Sequence, residues 1–274
     1  FDPLLFPVAR IPWPATWWDD DQVEQHEQTA LNQLAEALTT PTAALILEPL
    51  VQGAGGMSMV RPTFLKEVEQ RVRDAGTLLI ADEVLTGFGR CGDFLATQRA
   101  GIKPDLVALS KGLTAGFLPM GITMASGDVF DAFVGTDPSL TLWHGHSFTA
   151  NPLGCAAANA SLDLLEAEPD KYLGCEAGHR SRLEVLARHP GIRRVRLTGT
   201  IAAFDLVVSD QEGYLNPAGK VLRRLARERG VLVRPLGQVV YLLPPLCISD
   251  EQLDQCYAVL QEALDLLQEQ EVTS

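Results

Sequence analysis

Three short apolar runs constrain the fold of this 274-residue chain more than any other feature. They are AALILEP at 43–49, TLLIADE at 77–83 and PDLVALSKG at 104–112, and a helical stretch, PTFLKEVEQRVRDAG, separates the first two. Short apolar runs alternating with helices predict a parallel sheet, because parallel strands need a crossover long enough to hold a helix. In such sheets functional groups gather at the carboxyl ends of the strands. Here those ends carry Glu48, Asp82 with Glu83, and Ser110 with Lys111.

Around this unit the chain divides simply. Residues 1–18 read as an extended, proline-punctuated segment. Asp19, Asp20 and Asp21 open a helix running to about Leu38, with acids at its positive end. The stretch NPLGCAAANASLDLLEAE reads as a helix capped by Asn151, with Pro152 in its first turn. From residue 168 the expected order is helix, strand, strand, helix, strand, strand and helix. That predicts a smaller α+β unit over 168–274, behind an α/β unit over 1–167.

Composition narrows the function. Hydrophobic residues make up 46% of the chain and charged residues 21%, enough for a sizeable core. A net charge of −13 leaves no cationic surplus for phosphates, so nucleic acid is not expected as the main partner. The five scattered cysteines form no CxxC pair and predict a reduced, cytoplasmic setting. The histidines form no HExxH, so no metal is expected. No apolar run is long enough to span a bilayer, and no signal peptide is visible; with no initiator Met, Phe1 is not read as a natural N-terminus.

Four positions could carry chemistry. Lys111 directly follows a buried-looking strand. In a partly apolar pocket its ammonium would be penalised, and the free amine could attack a carbonyl to form a Schiff base. A surface lysine at a strand end has the same spacing. Asp82 closes four apolar residues, where a carboxylate needs a cationic partner such as a protonated pyridine nitrogen, or simply caps the next turn. In HGHSFTANP, Ser147 and Thr149 place hydroxyls ahead of a helix N-terminus, for an anion or for capping. Arg234 ends the apolar run GVLVRP, where a guanidinium could grip a carboxylate or form a structural ion pair. The glycine-rich VQGAGGM at 51–57 matches no phosphate-loop pattern and reads as a tight active-site loop needing positive φ. Arg90, in TGFGRCG, is a further possible anion contact.

Taken in order, EPLVQGAGG, LLIADEVLTGFGRCG, PDLVALSKGL, HGHSFTANPLGCAAANASL and VLVRPLGQVVYLLPPL resemble the class III aminotransferases, of pyridoxal-phosphate fold type I. The resemblance implies pyridoxal 5'-phosphate as cofactor. It implies Lys111 as the lysine that bonds the cofactor and shuttles a proton, Asp82 as partner of the pyridine nitrogen, and Val84 as the residue packed on the ring. It places Glu48 near the cofactor and Ser147 on the phosphate of a neighbouring subunit, hence a homodimer. It implies Arg234 as the grip on a substrate carboxylate, with Arg90, Gly145 and Tyr241 near the substrate. The stretches HGHSFTANPLGCAAA, VRPLGQVVYLLPP and FPVARIPWPATWW resemble the biotin-synthesis branch of the family. That implies amino transfer to 8-amino-7-oxononanoate, with S-adenosylmethionine as donor. Leu85 stands where many ω-aminotransferases have a glutamine, which speaks against that branch. The resemblance further implies that this chain is a C-terminal portion, lacking the family's Gly/Ser phosphate loop, its ring-stacking aromatic and the first strands of the large sheet.

Overall fold

The computed structural model describes residues 7–208 and 212–272, the last three by backbone alone. Phe6 of the opening stretch, and the rest of residues 1–6, lie outside the described residues. The three apolar runs form strands: β1 (Ala44–Leu47), β4 (Leu78–Asp82) and β5 (Leu106–Leu109). They lie side by side and parallel, with Leu47 opposite Ala81 and Asp82 opposite Ala108. Before and between them run α1 (Val23–Ala37) and α2 (Pro62–Asp74), the short hairpin strands β2 (Val51–Gln52) and β3 (Ser58–Met59), and α3 (Ala96–Ala100). A fourth strand, β6 (Ile122–Ala125), pairs antiparallel with β5 and forms one edge of the sheet. Helix α2 covers the sheet because Phe64, Leu65, Val68 and Val72 recur at helical spacing and are all buried.

The short α4 (Gly127–Asp131) precedes α5 (Pro152–Ala167), which begins as the sequence predicts. Asn151 accepts a hydrogen bond from the Gly154 N–H at 2.7 Å, with Pro152 in the first turn. The second lobe contains α6 (Asp170–Leu173), α7 (Cys175–Leu186), β7 (Ile192–Thr198), β8 (Ile201–Leu206), α8 (Ala218–Glu228), β9 (Val239–Leu242) and α9 (Asp250–Val272). Strands β7, β8 and β9 form an antiparallel sheet. The expected strand at GVLVRP does not form. Val231 and Val233 are buried and Leu232 and Arg234 exposed, the alternation of a strand, but among the described residues no ladder partner lies beside them. Period two followed the burial there without the hydrogen bonds.

Strand β8 joins the lobes. All six of its residues are buried. Ala202, Phe204 and Leu206 enter the core built by α7, α8 and α9, while Ile201 and Ala203 enter the core beneath α1 and α2. Among the described residues no helix is long and apolar enough to cross a membrane.

Candidate active site

The parallel register brings three of the expected residues together. Glu48 follows β1, Asp82 ends β4, and Lys111 comes two residues after β5, so all three sit at the same end of adjacent strands. Strand neighbours lie about 5 Å apart. The cluster is electrostatically coupled. Burial raises the Glu48 carboxyl above its usual range; the Gly53 N–H opposes this, the Asp82 charge adds to it and the Lys111 ammonium opposes it.

Asp82 is half-buried, and its Oδ1 accepts the Val84 N–H at 3.1 Å. It therefore does cap the following turn, but with one oxygen. The other has no hydrogen-bond partner among the described residues. Val84 is half-buried beside it.

Lys111 opens a 3-10 turn over Lys111–Thr114 at φ +40°, a backbone conformation uncommon for a side-chain-bearing residue. That turn rests on α5, where the Ser161 hydroxyl donates to the Gly112 carbonyl at 3.0 Å. Of the two placements that a strand-end position allows, the described residues give the surface one: Lys111 is exposed. Lys111 lies beyond the last paired residue of β5, and the described residues of this one chain do not enclose it.

The residue between Asp82 and Val84 was not singled out from the sequence. Glu83 is fully buried and accepts hydrogen bonds from Thr86 Oγ1 at 2.8 Å, Ala96 N–H at 2.9 Å, Thr97 N–H at 2.7 Å and Thr97 Oγ1 at 2.8 Å. It ties both ends of the 84–95 segment together and so places Val84 and Arg90. Arg90 is itself half-buried. Its Nη1 donates to the Pro244 carbonyl at 2.6 Å, and burial lowers the pKa of its guanidinium. Its side chain bridges toward the second lobe rather than lying free on the surface.

The glycine-rich stretch is the tip of the β2–β3 hairpin. Gly53 donates its N–H to Glu48 Oε2 at 3.0 Å. A Cβ on Gly53 would lie 2.2 Å from Leu85 Cδ2, so a side chain here would need the end of Leu85 to swing aside; its φ is not positive. Positive φ occurs at Gly56 and Met57 instead.

Arg234 and Tyr241 form a second group. Burial raises the Tyr241 phenol, while the charge of Arg234 pulls it back. Arg234 is exposed and has no ion pair among the described residues. Ser147 and Gly145 lie on the fully exposed segment 141–150, and no hydrogen bond links either to the Glu48 cluster among the described residues. Thr149 is engaged locally, its hydroxyl accepting the His146 N–H at 2.9 Å.

A strand-end lysine and two carboxylates thus gather at one end of the parallel strands, while Arg234 lies exposed beyond them with no ion pair among the described residues. Residues 1–264 match the model of the family described as "Aminotransferase class-III", and the chain belongs to that family. It is 54% identical over 97% of its length to the adenosylmethionine-8-amino-7-oxononanoate aminotransferase of Synechococcus elongatus, and 41% identical over 93% to that of Geobacter sulfurreducens. It spans 62% and 59% of those two proteins. A solved amine transaminase from an uncultivated Pseudomonas species, in its PLP-bound form, superposes with a TM-score of 0.83. The two are 35% identical, and the match covers 94% of this chain and 61% of that one. The fold is accordingly the mixed α/β fold of that family, represented in part.

Proposed function

We propose that this chain carries the lysine-bearing part of a pyridoxal-phosphate-dependent aminotransferase that converts 8-amino-7-oxononanoate to 7,8-diaminononanoate in biotin synthesis. The observation that carries the reading is the register that puts Glu48, Asp82 and Lys111 at one end of three adjacent parallel strands. The relatives' names supply the substrate. In this reading 1–167 is the C-terminal part of the large domain and 168–274 the small domain.

The residues present fit the cofactor. The unpartnered oxygen of Asp82 suits a protonated pyridine nitrogen, Val84 suits a ring face, and Lys111 is the amine within electrostatic reach. When bound, pyridoxal phosphate supplies a carbonyl carbon for the incoming amine and an electron sink for the Cα–H bond. Lys111 moves the proton from the donor's Cα and, in the reverse half, delivers one to the acceptor. Asp82 holds the ring-nitrogen proton in place. Arg234 grips the carboxylate of each substrate in turn, with Tyr241, Arg90 and Gly145 shaping the space around it. S-adenosylmethionine is the proposed donor.

Ser147 sits on an exposed segment rich in bare apolar surface: Trp143 is 84% exposed and Phe148 75%. Contiguous apolar exposure of this kind supports a protein interface. A homodimer in which Ser147 reaches the partner's cofactor phosphate would cover it. Five free cysteines support a cytoplasmic setting.

The test is amino transfer to 8-amino-7-oxononanoate from S-adenosylmethionine, lysine, alanine and glutamate, with Lys111→Ala as control. Diaminononanoate formed from S-adenosylmethionine, and lost in the variant, supports the reading. No diaminononanoate from any donor overturns it.

A further inference from the structure

The hairpin tip that carries Gly53 is held from behind by the other lobe. On its front the Gly53 N–H meets Glu48. At its back the Gly56 and Met57 carbonyls point toward β7, 139 residues later in the chain for Met57, and both are taken by one side chain. Arg196 Nη2 donates to the Gly56 carbonyl at 2.7 Å, and Arg196 Nε donates to the Met57 carbonyl at 2.8 Å.

Arg196 is itself fixed. Its Nη1 donates to Asp205 Oδ1 at 2.8 Å and to the Arg194 carbonyl at 2.6 Å. Arg196 is 6% exposed and Asp205 5%. Asp205 shares the β8 face that carries Ile201 and Ala203 into the first lobe, and it is the one charged residue in that strand. Removing two charges from water is not repaid by their mutual attraction alone, so a buried pair is weak grounds for a purely stabilising role. The planar guanidinium fork instead matches two neighbouring carbonyls and a carboxylate at fixed angles, which a flexible ammonium cannot do.

The tip needs such a hold. Gly56 has φ +96° and Met57 has φ +51°. A left-handed methionine is strained and persists only where its surroundings impose it. Behind the tip lies an open cleft of about 490 Å³, bordered by Trp13, Trp17, Gly55 and Arg194. Without Arg196 the two carbonyls could turn to water there, and the tip would be free to withdraw from Glu48.

We propose that Arg196, anchored by Asp205, is a positioning residue: it clamps the 53–57 tip so that the Gly53 N–H stays on the Glu48 carboxylate beside Asp82 and Lys111. The inference rests on the reading of that cluster as the amino-transfer site, but the clamp can be tested without cofactor. In the full chain, Arg196→Lys keeps the charge and loses the fork. The double variant Arg196→Met with Asp205→Leu removes both charges together, so that neither is left buried alone.

Two measurements on the cofactor-free chain decide the matter: amide exchange at Gly56 and Met57, and the Glu48 titration followed by carbon-13 NMR. Both variants should stay folded and exchange at those amides on the order of tenfold faster. The Glu48 midpoint should move upward, because the Gly53 N–H that favours the carboxylate is loosened. Unchanged exchange and an unchanged midpoint in a folded double variant would overturn the clamp. In the cofactor-loaded protein, the clamp predicts a displaced acid limb in the pH profile of kcat, restored in part by Arg196→Lys; a profile superimposable on wild type would also overturn it. Failure of the wild-type protein to transfer an amino group at all defeats the site reading and leaves the cofactor-free measurements standing.

Discussion

Glu83 accepts two hydrogen bonds from Thr97, one from its backbone N–H at 2.7 Å and one from its hydroxyl at 2.8 Å. The contact closes the 84–95 segment on itself and fixes Val84 and Arg90 relative to Asp82. Glu83→Ala would leave the Ala96 and Thr97 N–H groups buried without a partner. Each orphaned donor costs about 1–3 kcal/mol, so the variant should lose roughly 2–5 kcal/mol in urea unfolding. Thr97→Val removes only the hydroxyl bond and should lose about 1 kcal/mol. Equal losses would mean that the backbone donors find other partners.

Gly53→Ala should be only mildly destabilising, because the new methyl would sit 2.2 Å from Leu85 Cδ2, the end of a flexible side chain that can swing aside. Overpacking relieved in this way should cost about 1 kcal/mol, the low end of the usual range. Leu85→Ala empties the space. A double-mutant cycle by chemical denaturation should therefore give a favourable coupling on the order of 1 kcal/mol. Strict additivity would show that the hairpin tip moves away instead.

His179 gives the clearest pH signature in the second lobe. It is 1% exposed and hydrogen-bonds the Tyr257 hydroxyl through Nδ1 at 2.9 Å. Burial, aided by the charge of Arg182, pushes its pKa down to about 4. The unfolded chain protonates this imidazole below its ordinary value near 6.5, while the folded chain resists until about pH 4. Stability from this group is therefore present above about 6.5 and lost as pH falls toward 4, by roughly 3 kcal/mol in total. His179→Gln, which cannot titrate, should flatten the stability profile across that window.

Glu48 has the opposite slope. Its folded pKa is raised, so stability from this group is full below the unfolded value and is lost as pH rises through the raised folded value. Glu48→Gln should gain on wild type as pH climbs past about 4.5. Unfolding curves at pH 4 and pH 7 check this: a stability difference that does not change between them would mean that the carboxyl is not strained by burial.

Arg234→Ala should separate function from folding. The side chain is exposed and has no ion pair among the described residues, so stability should change by less than about 0.5 kcal/mol. If Arg234 grips substrate carboxylates, kcat/KM should fall roughly 10- to 100-fold, the worth of a charged hydrogen-bond pair. A carboxylate-free amine donor should lose much less in its own half-reaction.

The elements that local pattern makes legible came out where the sequence placed them. Helix α2 has its apolar residues on one stripe, α5 has its Asn–Pro cap, and the three apolar runs became parallel strands. Local pattern misled at GVLVRP, where alternation tracked burial but no partner strand lies alongside among the described residues. It was silent on β6 and on the β2–β3 hairpin, whose strands of four and two residues carry too little period to read. For Lys111 strand-end position left a partly apolar pocket and a surface placement both open, and the side chain is exposed, because enclosure depends on neighbours that strand-end position does not specify.

The sequence by itself determined which residues end the strands, since the lengths of the apolar runs decide where backbone pairing stops and a polar side chain emerges. The ordered motifs likewise carried the family. Only the tertiary structure decided that Glu48 stands beside Asp82, that Glu83 holds a helix start 13 and 14 residues away, and that Arg196 grips a hairpin tip from the other lobe. These relationships span separations over which a chain has no local periodicity. They are set by sheet register and by the need of each buried polar group for a partner, and both are satisfied only once the whole core has closed.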